Sequence, residues 1–234
     1  MADIALRFSC FVTGTDTDIG KTLIASALLQ ALTQRGVKAV GMKPVAAGAT
    51  LRDDVWHNDD ADSLAAAGNL SLPPALTTPY LLRIAAAPHI AAAREGKVIE
   101  LAPILDCYAQ LTAAADAVVV EGVGGFRVPL SDSFDTADLA QQLGLPVILV
   151  VGLRLGCLNQ ALLTAEAIAA RGLTLAGWVA NQVEVGMSYG EDNVAALSAR
   201  IAAPLLGCVP RLVEPSPAAA AACLDFTGLP GWPA

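Results

Sequence analysis

Gly14-Thr15-Asp16-Thr17-Asp18-Ile19-Gly20-Lys21-Thr22 stands between an apolar run, Phe8 to Val12, and a helical pattern that begins near Lys21. Strand, glycine-bounded loop, Gly-Lys-Thr and helix in that order make a phosphate cradle. Glycines let the backbone curl so that successive N–H groups point at phosphate oxygens, and the following helix adds its dipole to the same field. Lys21 supplies a point charge, and Thr22 a hydroxyl for Mg²⁺. Five residues separate Gly14 from Gly20 where the common pattern has four, so the first glycine is expected to play a different role. The working expectation is a nucleoside triphosphate site.

Apolar runs of strand length recur along the chain, at Phe8 to Val12, Ala39 to Met42, Ala117 to Val120, Val147 to Val151, Leu175 to Val179 and Leu205 to Val209. Helical periodicity fills the stretches between, as in Leu23 to Leu32 and Leu158 to Ala170. Strands that are apolar throughout imply a mainly parallel sheet covered on both faces, a P-loop NTPase-like three-layer α/β fold. Ligands of such sheets bind outside the carboxyl ends of the strands. That rule selects the phosphate loop, Lys43 to Gly48, Glu121 to Gly125, Gly152 to Asn159, and Asn181.

The 234 residues fit one domain, 1–234, with no repeat or linker. From about Pro215 the prolines and a five-alanine run read as a loosely structured tail. Residues 49–60 carry most of an acidic, polar insertion that is too long for a tight turn, of the kind that is often functional or disordered.

A formal net charge of −8 would repel a phosphate-rich polymer, which argues against nucleic acid as a partner. Although 55% of the chain is hydrophobic, no apolar run approaches the roughly 18 residues of a bilayer span. Leu145 to Leu153 comes nearest, and Arg154 ends it; Asp3 and Arg7 interrupt any signal-like segment. The expected location is cytoplasmic. Cys10, Cys107, Cys157, Cys208 and Cys223 are dispersed, and His57 and His89 lie far apart, so neither a zinc site nor a disulfide framework is indicated. Cys10 and Cys208, in strand-like runs, are expected to be small buried hydrophobes.

Glu121 follows a buried strand and precedes three glycines within four residues, a position suited to holding Mg²⁺. Asp59, Asp60 and Asp62 are equivalent on pattern alone as further metal-shell candidates, or as solvated charges. Lys43, at a strand end before Pro44, points toward the ligand crevice as a second cation beside Lys21. Cys157 opens a helix whose free N–H groups suit a carboxylate or phosphate, with Asn159 adding contacts; only Arg154 lies near enough to activate the thiol.

Together these motifs resemble the dethiobiotin synthetase family. The likeness is carried by Phe11-Val12-Thr13-Gly14-Thr15-Asp16-Thr17 with Gly20-Lys21-Thr22, Lys43-Pro44-Val45, Val120-Glu121-Gly122-Val123-Gly124-Gly125 and Pro129-Leu130-Ser131-Asp132. It continues through Leu145 to Val151, Leu155-Gly156-Cys157-Leu158-Asn159 and Gly177-Trp178-Val179-Ala180-Asn181. The family's phosphate loop shares the extra residue. The resemblance implies an ATP-dependent ligase that closes a cyclic urea from CO₂ and 7,8-diaminononanoate through a carbamate and its phosphoric anhydride, releasing ADP and phosphate.

Carried over by position, the resemblance makes Lys21 and Lys43 the charges on phosphate and carbamate, and surrounds Mg²⁺ with Thr22, Asp60 and Glu121. It thereby singles out Asp60 from its neighbours. Thr15, Asp16, Thr17, Asp18, Ile19 and Gly20 would follow the phosphates, with Gly124 near the site. Asn181 would read the adenine edge, with Pro210, Arg211 and Leu212 beside it. Gly156, Cys157, Leu158 and Asn159 would hold the substrate carboxylate across a homodimer interface. After Lys-Pro-Val-x the family has Ser or Thr facing the substrate, and here Ala47 stands in its place.

The rival reading from another class is a P-loop ATPase switch that binds a protein partner or a membrane. The basic amphipathic C-terminal helix of the membrane-bound kind has no counterpart in Ala218 to Ala234, which contains no lysine or arginine. A carboxylate-amidating enzyme would require an ammonia source or an attached glutaminase, and no such second domain is expected here.

Overall fold

The structure, a computed structural model, describes residues 8–233; Asp3 and Arg7 lie outside it. In chain order the elements are β1 (Phe8–Gly14), α1 (Lys21–Gln34), β2 (Ala39–Met42), β3 (Val45–Ala46), β4 (Thr50–Arg52), β5 (Val55–His57), α2 (Asp59–Ala67), α3 (Pro74–Thr77), β6 (Tyr80–Leu81) and α4 (Pro88–Arg94). They continue with α5 (Leu101–Ala114), β7 (Ala117–Glu121), α6 (Thr136–Leu143), β8 (Val147–Leu153), α7 (Cys157–Ala170), β9 (Leu175–Gln182), α8 (Gly190–Ser198), β10 (Leu205–Val209) and α9 (Pro217–Ala221).

All six expected strands form, and they pair in parallel in the order β10-β9-β8-β1-β7-β2. Their continuous apolar character has a direct cause: every residue of β7 and β8 is buried, so neither face of the sheet tolerates polar alternation. Phe8, Cys10 and Val12 point to the face covered by α1, while Phe11 joins Val118, Val120 and the α5 residues Ile104 and Leu111 on the other. Leu149, Val151 and Trp178 form a third cluster under α7 and α8. After β1 the chain crosses to β2, returns to β7, and then passes to β8 on the opposite side of β1. The reversal beside β1 is the switch point where open α/β sheets bind ligands, and the phosphate loop emerges there.

Two expectations need correction, those for the tail and for Cys208, and the open one for the acidic insertion is resolved. The tail is folded: α9 packs beside α1, and Phe226, Leu229 and Trp232 are buried in the core under that helix. The Trp232 ring meets Phe8 edge-on at 5.2 Å and lies under the Arg35 guanidinium at 5.4 Å. Prolines and alanines masked this apolar spacing of three. The acidic insertion is ordered as a β4–β5 hairpin, with Asp53 and Asp54 at φ 47° and 61°, followed by α2. Two central residues in the left-handed region match the twist of a two-residue hairpin turn, and aspartate tolerates that region better than most side chains. Cys10 is buried as expected, but Cys208 is exposed, because β10 is the edge strand of the sheet.

Among the described residues, no helix is long and apolar enough to cross a membrane. Trp232→Ala is expected to lower the unfolding free energy by about 3 kcal/mol through the cavity it leaves, read from a urea denaturation midpoint. An unchanged midpoint would mean that the tail adds nothing to the core.

Candidate active site

The unusual first glycine belongs to β1. Its absent side chain makes room for the loop to fold back, since a Cβ on Gly14 would lie 2.5 Å from Ile19 Cδ1 and 3.1 Å from Lys21 Cγ. Ile19 is the loop's apolar anchor, buried also against Gly152 of β8. Gly20 caps α1 at φ 89°, and a Cβ there would lie 2.2 Å from Asn181 Nδ2, which donates to the Ile19 carbonyl at 2.8 Å. The end of β9 thus holds the loop in shape. Thr15 keeps a buried hydroxyl without a partner, and Asp18 adopts φ 56°.

Lys21 is buried at the start of α1 and donates to the Asp16 carbonyl at 2.7 Å. Burial, with Lys43 nearby, lowers its pKa to about 8. A phosphate would replace the missing water around it.

Beside it lies a knot of charge drawn from four distant segments. Lys43 Nζ, only 3% exposed, donates to Glu121 Oε1 at 2.6 Å and to the Gly122 carbonyl at 3.2 Å, and it pairs with Asp60 Oδ2 at 2.8 Å. Thr22 Oγ1 stands 2.8 Å from Asp60 Oδ1 and 2.9 Å from Glu121 Oε1. Burial opposes charge on Lys43, but the Glu121 and Asp60 carboxylates outweigh it and hold the pKa above the ordinary lysine value. For Asp60, burial is likewise outweighed, by Lys43 and by the Thr22 hydrogen bond, and its pKa falls.

The geometry separates the three aspartates. Asp59 pairs with Arg52 at 2.5 Å, and Asp62 with His57 at 3.0 Å, both at the surface. Asp60 alone turns inward, because Asn58 caps α2 through the Ala61 N–H while its Nδ2 donates to the Ala47 carbonyl at 3.2 Å.

Among the described residues, no cluster of three or more His, Cys, Asp or Glu side chains forms a protein-only metal site. Two carboxylates and a hydroxyl do converge here, and Glu121 Oε2 is buried with no hydrogen-bond partner. That donor set fits Mg²⁺, which takes one or two carboxylates and completes its shell with phosphate oxygens and water.

A cavity of about 910 Å³ opens on these groups, lined by Thr17, Asp18, Lys43, Ala47, Glu121 and Gly124 among others. Ala85 to Pro88, Val123 and Val128 give it an apolar wall. Sequence reading missed the Ala85 to Pro88 part of this wall; only Pro88 at the start of α4 marked it. It also missed the clamp of Arg154 and Gln160 on the Asp16 carboxylate. Asn181, Pro210, Arg211 and Leu212 do not line this cavity, and Arg211 donates to the Val183 carbonyl at 2.8 Å. Gly156, Cys157, Leu158 and Asn159 also lie off it, opening α7 next to Leu155, which is 97% exposed. A second cavity, about 810 Å³, lies behind α2 between Val40 and Leu81, away from both lysines.

Fold and site define the class: a P-loop nucleotide-binding α/β protein. The family model described as "AAA domain" matches residues 9–219. The ATP-dependent dethiobiotin synthetase BioD of Janthinobacterium sp. (strain Marseille) is 67% identical over 230 residues, covering 97% of this chain and 98% of that protein. The chain belongs to the dethiobiotin synthetase family, within the AAA-domain proteins. Similarity of fold alone extends to the MinC:MinD cell division complex of Aquifex aeolicus, with TM-score 0.56, 13% identity, and coverage of 88% of this chain and 82% of that one. Chloroplast FtsY of Physcomitrella patens gives TM-score 0.52 at 16% identity, with 95% of this chain spanning 61% of that one.

Gly20→Ala is expected to weaken ATP binding about tenfold or more, because it adds left-handed strain and a clash with Asn181. Titration calorimetry checks this, and unaltered affinity would show that the loop shape is not set there.

Proposed function

We infer that the protein is an ATP-dependent cyclo-ligase that makes dethiobiotin from 7,8-diaminononanoate and CO₂. The observation that carries this is the buried Lys43, held by Glu121 and Asp60 where the phosphate loop meets the cavity, in a chain 67% identical to a dethiobiotin synthetase.

CO₂ adds to one amine and a proton leaves, giving a carbamate. A carbamate oxygen then attacks the γ-phosphorus of ATP; the bond to the bridging oxygen breaks and ADP departs. The neighbouring amine attacks the carbamoyl carbon, the carbon–oxygen bond to phosphate breaks, and the ring closes with release of phosphate. Lys43 and Lys21 offset the negative charge that spreads over the transferring phosphoryl group, so positioning and charge do most of the work. Thr22, Asp60 and Glu121 would hold Mg²⁺, which when bound neutralises charge on the phosphates. Little else in the cavity titrates, as suits a reaction whose nucleophiles come from the substrates.

In this reading Asn181 and Pro210 to Leu212 receive the nucleoside, and the methylene chain of the diamine lies along the Ala85 to Pro88 wall. Gly156 to Asn159 of a second protomer hold the substrate carboxylate, which makes the enzyme a homodimer acting in the cytoplasm on small molecules. The N–H groups of Leu158 and Asn159 at the start of α7, next to an exposed leucine, support that assignment. The switch-ATPase reading draws only on similarity of fold.

Incorporation of labelled bicarbonate into an acid-stable product is the test. Label appears only when Mg-ATP and diamine are both present; ATP hydrolysis without labelled product would favour the switch. Lys43→Ala and Glu121→Ala should each lower kcat by roughly 10² or more in protein shown to be folded by circular dichroism. Near-normal rates in both would contradict the assignment. Ala47→Ser is expected to lower KM for the diamine or raise kcat by adding a hydroxyl at the cavity wall, and unchanged kinetics would make that hydroxyl dispensable.

A further inference from the structure

Asp16 is gripped on two sides. On the loop side its carbonyl accepts Lys21 Nζ at 2.7 Å, and its Oδ1 accepts the Thr17 N–H at 2.8 Å. On the other side Oδ2 accepts from the Arg154 guanidinium and, at 3.5 Å, from Gln160 Nε2. Both of these partners build the start of α7. The Arg154 carbonyl accepts the Cys157 N–H at 3.0 Å, and the Gln160 N–H donates to the Gly156 carbonyl at 3.2 Å. One residue therefore joins the phosphate loop to the helix start, across a sequence separation of 138 residues.

The two loop-side partners are groups that a triphosphate calls on, a lysine ammonium and a loop N–H. We propose that Arg154 is a positioning residue that couples occupation of the phosphate loop to the start of α7, so that bound nucleotide strengthens the grip on the substrate carboxylate. This rests on the reading of Gly156 to Asn159 as the carboxylate site. As phosphate oxygens draw Lys21 off the Asp16 carbonyl and the Thr17 N–H off Oδ1, the Asp16 carboxylate loses its loop-side donor and is left to Arg154 and Gln160. That steadies the turn from Arg154 to Gly156 before the carboxylate arrives. Where α7 serves the neighbouring protomer, nucleotide on one subunit tunes substrate binding at the other, and the effect is reciprocal.

Arg154 is partly exposed, and an ion pair of this kind adds little stability, so Arg154→Met leaves the protein folded. Binding of 7,8-diaminononanoate is measured by calorimetry with bicarbonate and Mg²⁺, with and without a non-hydrolysable ATP analogue. In the unaltered protein the analogue tightens diamine binding about fivefold or more. In Arg154→Met that ratio falls toward one, the Tm stays put, the analogue alone binds at most a few-fold more weakly, and KM for the diamine rises at constant kcat. Arg154→Lys restores part of the ratio. Equal ratios in Arg154→Met and the unaltered protein, or no enhancement in the latter, overturn the proposal. Asn159→Asp separates the layers. If it raises the diamine Kd, the carboxylate site stands and Arg154→Met judges the coupling alone. If it does not, the carboxylate binds elsewhere and the coupling falls with that reading.

Discussion

A carboxylate with no exposed surface sets the terms for the rest of this site. Glu121 lies at the end of β7 fully removed from water, a position that is tolerated only with cations and donors around it. Lys43 supplies the charge, and Thr22 stands within hydrogen-bond distance. Asp60 completes the set by pairing with Lys43. A buried ion pair of this sort adds little net stability over apolar packing. What it secures is an ammonium group with a fixed position and a strongly held proton, facing the cavity beside the phosphate loop.

The sheet brings those four residues together. β7 lies between β1 and β2, so Glu121 is flanked by the strand that feeds the phosphate loop and the strand that ends just before Lys43. Asp60 arrives by a different route. Gly41 of β2 would carry a Cβ 2.7 Å from Leu64 Cβ, and its bare backbone lets α2 lie directly on the strand. Asn58 then fixes the beginning of α2 against Ala47. Charge is concentrated where the backbone is least encumbered, as close approach to a polyanionic ligand requires.

Much of this was legible in the sequence because buried parallel strands write a continuous apolar signal. All six strand runs appear, and Lys43 and Glu121 follow from standing directly after two of them. The choice of Asp60 over Asp59 and Asp62 was not legible from pattern, since it depends on an asparagine cap and on ion pairs with Arg52 and His57. The fold of the tail was hidden for a related reason: Phe226, Leu229 and Trp232 are too sparse to read as an element, and only the surface of α1 makes them core. The Asp16 clamp was invisible because Arg154 and Gln160 reach it from beyond the end of β8, which lies beside β1 in the sheet but 138 residues away in the chain.

In the proposed reaction a carbamate oxygen attacks the γ-phosphorus beside Lys43. Turnover with oxygen-18 bicarbonate, started before the bicarbonate label exchanges with water through CO₂ and followed by mass spectrometry of the released phosphate, tests this step. The expected product is phosphate that carries an oxygen-18 atom from the carbamate, formed in step with dethiobiotin. Phosphate without the label, formed at the same rate, would mean that water attacks ATP and that the site does not activate a carbamate.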